Sequence, residues 1–203
     1  MPDIHIPKLN GHGSGHSIFK ILLEVVLIGT GVFLGLAGEQ WRERAHQREL
    51  AEQALRRFRS EIVENRKSVA TVADYHVTMK KTLEMAKSAD DVQFAGIRPS
   101  NFDHSAWDLA IATQSLSYID ADLALSLSRV YNRQETVMEL TRGVLQAMYI
   151  APPTDSKNAK AFFGAVLVYY GDMTIYEPQL LQLYDAILPR IAKTLGEKPG
   201  EKK

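Results

Sequence analysis

An apolar run from Ile18 to Gly38, closed by Trp41 and continued without pause by a charged stretch, constrains this chain more than any other feature. A helix of that length is about 31 Å long, and a bilayer's hydrocarbon core is about 30 Å thick. The run has the length and composition of one membrane crossing. Lys20 lies near enough to its start to snorkel, and Trp41 and Arg42 fall at the level of the far headgroups. The run is too long for a signal-peptide core, and its leader is not basic. An uncleaved anchor is therefore expected.

Glu24 is the exceptional residue in this run. A carboxylate near a bilayer is costly unless it is shallow, protonated or paired. Lys20 precedes it by one helical turn and can pair with it. Glu24 also shares a helical face with Gly31, Gly35 and Gly38, and Gly31-Val-Phe-Leu-Gly35 is a GxxxG pair. Small residues at that spacing let two helix backbones approach closely in lipid. Two readings follow: a shallow Glu24 paired with Lys20, or a carboxylate on a helix–helix contact formed with Gly31, Gly35 and Gly38.

Lys and Arg total 24, as do Asp and Glu, so no net field recruits nucleic acid. The chain has no cysteine, which excludes disulfides, thiolate metal sites and a cysteine nucleophile. The arginines after the span (Arg42, Arg44, Arg48, Arg56, Arg57 and Arg59) point to a cytosolic C-terminal domain by the positive-inside rule. Arginine on an amphipathic helix is equally a solvated face, so the side stays open.

Residues 1–17 read as a flexible tail. His5, His12 and His16 lie among glycines that give no preorganised geometry, so no metal site is expected. From Glu39 to Phe94 no Gly or Pro occurs, and the helix should continue. Apolar residues recur at Ala51, Leu55, Phe58, Ile62, Val69, Val72, Met79, Leu83 and Ala86. Asn65 and His76 fill the two gaps. This 4-3-4-3 spacing is the seam of a coiled coil or bundle, in which a polar Asn65 can set register and His76 is structural or pH-sensitive.

The segment from Ser88 to Asn101 should break the helix. Ser105-Ala-Trp-Asp108 reads as a capping box, and Ser117-Tyr-Ile-Asp120 as a second cap. A long amphipathic helix through Leu123, Val130, Val137 and Val144 should end before Pro152-Pro153. Ala159 to Tyr170 reads as a buried core helix, Gly171-Asp172 as a turn, and Pro178 as the first position of a last helix stopped by Gly196. The expected fold is all-α. One N-terminal transmembrane helix (18–41) continues into a long helix packed in a bundle of about four or five helices (42–196), with a frayed tail at 197–203.

The stretch from Glu24 through Gly31, Gly35 and Trp41 to Arg48 resembles a group of bacterial single-span membrane proteins with no assigned function. These carry an intramembrane Glu or Asp, small residues, then a Trp followed by a Glu/Arg-rich helix. Leu55, Phe58, Glu61, Ile62 and Asn65 continue the likeness, as do Ala106-Trp107-Asp108, Gln114, Leu116 to Asp120, and Tyr131. The resemblance covers most of residues 20–135 and implies a bacterial inner-membrane location. Relatives often have a more basic leader, which would place their soluble domain in the periplasm; this chain departs there.

No P-loop, Gly-x-Ser-x-Gly or His-Glu-x-x-His motif occurs. Asp108, Asp120, Asp122 and His104 are the only clustered titratable groups, and capping accounts for them. The sequence therefore reads as a non-enzymatic, membrane-anchored interaction or scaffold protein. It would use no cofactor, sit in a lipid bilayer, self-associate through the Gly31/Gly35 face and the 51–86 seam, and present a bundle to a protein partner. The alternative is a sensor-like bundle that binds a ligand and signals through its anchor.

Overall fold

The computed structural model of the chain describes residues 14–86, 96–150 and 156–197. Residues 1–13, most of the segment from Ser88 to Asn101, Pro152-Pro153 and residues 198–203 lie outside the described residues, and the expectations for them stand as sequence readings. The protein is all-α, with no strand among the described residues. Its helices are α1 (Ser14–Met85), α2 (Ser105–Ala112), α3 (Ala121–Ile150) and α4 (Ser156–Thr194), with a 3-10 turn at Ser115–Tyr118. The chain divides into two units, residues 1–47 and 48–203.

In the first unit, the N-terminal half of α1 is long and apolar enough to cross a membrane. Phe19, Leu23, Leu27, Phe33 and Leu36 are all exposed, so this half has no protein core of its own.

The second unit is a bundle with one core. From α1 it takes Leu55, Phe58, Ile62, Val69 and Met79; from α3, Leu127, Val130 and Val137; and from α4, Val166, Tyr170, Met173, Leu180, Tyr184, Ile187 and Ile191. Each large side chain withdrawn from water contributes about 1.5–3 kcal/mol before entropy is subtracted. Most heptad positions of α1 are buried inside this one chain, Asn65 at 2% and His76 at 0% exposure, with Val72 and Ala86 half-buried. The seam thus closes on the chain's own helices rather than waiting for a second copy.

Two local expectations change. The Gly171 turn does not form, because α4 runs unbroken through Gly171, Pro178 and Pro189. Gly171 can occupy helical backbone, and α4 has one buried face from Val166 to Ile191 that favours a single continuous element over two short ones. The capping box at Ser105 is also absent. His104 occupies the N-cap without a side-chain bond. The second cap is formed by Asp120, whose Oδ1 accepts the Leu123 N–H at 3.0 Å. Gly196 stops α4 as expected: at φ +69° it closes a Schellman motif, with Gly196 N–H bonded to Lys193 and Glu197 N–H to Ala192.

Candidate functional site

Two places carry chemistry beyond core packing. The first is the face of α1 containing Glu24, Gly31, Gly35 and Gly38. Lys20 and Glu24 are both exposed. No ion pair joins them among the described residues. A Cβ added at Gly31, Gly35 or Gly38 would meet nothing within 4 Å, so within one chain this face is unfilled. Trp41 is 78% exposed. Arg42 pairs with Glu39 along the helix at 2.8 Å.

The second place is a ladder of polar side chains on the buried face of α1, at Glu61, Asn65, Ser68, Tyr75 and His76. Each rung grips the segment between residues 96 and 106. Glu61 Oε2 accepts the Ala106 N–H at 2.7 Å and the Ser105 hydroxyl at 3.0 Å. Asn65 holds Asp103 by both backbone groups, donating to its carbonyl at 2.8 Å and accepting its N–H at 2.9 Å. The Ser68 hydroxyl accepts the Asn101 N–H at 2.9 Å. The hydroxyls of Tyr75 and Tyr170 both donate to the Gly96 carbonyl, at 2.5 and 3.1 Å.

His76 ties three parts of the bundle together. Its Nε2 faces the Arg98 carbonyl at 2.8 Å, so that nitrogen carries a proton. Its Nδ1 lies 2.8 Å from Glu177 Oε1 on α4, and both side chains are sealed from solvent. Ser100 donates to the same carboxylate oxygen at 3.0 Å. The rings of Tyr75, Tyr169 and Tyr170 enclose the imidazole.

Electrostatics follow burial. Tyr131 donates to Glu61 Oε1 at 2.6 Å and stacks on Trp107 with centroids 4.9 Å apart. Burial first, then the adjacent carboxylate, push its phenol far above the usual range. Burial pushes Tyr169 up to about 12. The N–H of Ser105 holds the Asp103 carboxyl below its usual range. On the surface, Arg66 and Asp185 join α1 to α4 at 2.7 Å.

Glu61, Asn65 and His76 spend every polar atom on structure. What the ladder does chemically is pin a segment that has little regular structure of its own. Among the described residues no group of three His, Cys, Asp or Glu could hold a metal ion. The sequence singled out Asn65 and His76 but not their partners. Glu61, beside seam residue Ile62, was legible only as part of a resemblance, and nothing in the sequence marked Glu177.

Fold and site together define an all-α bundle with, among the described residues, one helix long and apolar enough to cross a membrane. No protein-family model, curated protein or solved structure matches the chain.

Proposed function

We propose that this protein is a membrane-anchored helical interaction protein of a bacterial inner membrane. Residues 18–41 hold it in the bilayer, and it self-associates through the face carrying Glu24, Gly31, Gly35 and Gly38. Its bundle is presented to a protein partner. The observation that carries this reading is the open glycine face: along the most apolar part of α1 the large side chains are exposed, and a Cβ added at Gly31, Gly35 or Gly38 would meet nothing within 4 Å. In lipid such a face gains close van der Waals packing only from another helix. Asn65 and His76 of the α1 seam have their partners within the chain, which favours the glycine face over the seam as the contact.

The chain contains no cysteine, so single cysteines report without background. Gly35→Cys lies on the glycine face and Phe33→Cys on the opposite face. Oxidation of each variant in native membranes should give disulfide dimers for Gly35→Cys alone. Equal yields from both positions, or none from either, would sink the self-association reading. A reporter placed after Lys203 tests orientation independently. Signal from a periplasm-active reporter puts the bundle outside, and signal from a cytosol-active one puts it inside.

A further inference from the structure

The bundle has an open cavity of about 730 Å³ between α1 and the C-terminal end of α4. Its size lies within the range of about 300–1,000 Å³ typical of small-molecule sites. Its apolar lining is Val63 from α1, and Leu188, Pro189 and Ala192 from α4. Arg59 from α1 and Lys193 from α4 add two cations to the lining. Lys193 has no ion-pair partner among the described residues. Arg59 is engaged by the carboxylate of Glu197, which lies just beyond the helix stop at Gly196 and reaches Arg56 at 3.5 Å. Two cations, Arg59 and Lys193, therefore share the lining with one carboxylate, Glu197.

We infer that this cavity binds a single-chain amphiphile with a carboxylate head, of the fatty-acid class. An apolar lining that also holds two cations matches an alkyl chain that ends in one negative charge. Neither a free small anion nor a neutral lipid uses both parts. The Glu197 carboxylate on Arg59 shows the head-group chemistry these cations accept. A bound carboxylate takes Lys193 directly and competes with Glu197 for Arg59. The site uses no residue of the glycine face, so either can fail without the other.

The test is calorimetric titration of the full chain in lipid nanodiscs with octanoate, empty nanodiscs providing the blank. Octanol supplies the same tail without charge, and acetate the same head without a tail. Saturable octanoate binding is expected above the blank, with octanol and acetate each much weaker. Lys193→Gln should weaken octanoate binding. Glu197→Gln should strengthen it, by about two- to fivefold, because it removes the competing charge. That opposite pair of effects cannot come from loss of folding. Octanol binding as tightly as octanoate, no response to either variant, or no heat above empty nanodiscs would overturn the proposal. So would loss of self-association in Lys193→Gln without octanoate binding, which would assign the face to a contact between copies.

Discussion

The carboxylate of Glu61 caps a helix that begins 44 residues later: one oxygen receives the hydroxyl of Ser105 and the N–H of Ala106, and the other receives Tyr131. A helix N-terminus leaves N–H groups without partners and carries partial positive charge. In α2 that demand is shared: Asp103 Oδ1 accepts the Ser105 N–H locally, and Glu61 from α1 accepts the Ala106 N–H, which ties the start of α2 to the bundle.

Breaking this cap should be costly and cooperative. Tyr131→Phe and Glu61→Gln should each destabilise the bundle by about 1–3 kcal/mol, since each strands a buried polar group. The two changes should be less than additive, because they share one hydrogen bond. Thermal unfolding of the single and double variants, followed by circular dichroism, measures this. Simple additivity would show that the Tyr131–Glu61 contact contributes nothing.

The His76–Glu177 pair makes a sharper prediction. Removing one partner leaves the other charge-bearing group buried, so His76→Leu should cost about 3–5 kcal/mol. Replacing both with apolar side chains, His76→Leu with Glu177→Met, should recover much of that loss. The Ser100 hydroxyl then loses its acceptor, so recovery will be incomplete. A double variant less stable than His76→Leu alone would contradict this account.

Alkali should unfold the bundle through its tyrosines. Tyr131, Tyr169, Tyr170 and Tyr184 all have phenols raised by burial. A raised folded value means the folded state keeps its proton where the unfolded chain has lost it. That stabilisation is complete below about pH 10 and is lost as pH climbs toward the folded values. Ultraviolet titration of tyrosinate should therefore show these four ionising together with the loss of helical signal. Full ionisation of the buried phenols with helicity intact would refute it.

Pro178 sits on the exposed side of α4, directly after Glu177. It lacks an N–H and crowds the Thr174 carbonyl, at a cost of up to about 3 kcal/mol in a helix interior. Pro178→Ala should raise the melting temperature. A fall would mean that the backbone geometry Pro178 imposes helps seat Glu177 against His76.

Much of the fold was legible because helical periodicity is local. The seam from Ala51 to Leu83 is the buried face of α1, and Gly196 is the stop of α4. The errors have physical reasons. Pro178 and Gly171 carry breaking propensities, but a continuous buried face on α4 outweighed them. Ser105 has the spacing of a cap, but its hydroxyl donates to Glu61. Of the buried polar ladder, Asn65 and His76 stood out because they interrupt an apolar pattern. Glu177 did not, since its partner lies 101 residues away.

The sequence by itself determined an all-α chain, a single helix apolar enough for a membrane, and the face of α1 that is buried, because each of these depends on residues one or two turns apart. Only the tertiary structure decided that the α1 seam closes within one chain, that Glu61 caps α2 and that His76 meets Glu177. Those outcomes depend on which distant groups share a dry interior, where a polar atom must find a partner wherever the packing brings one.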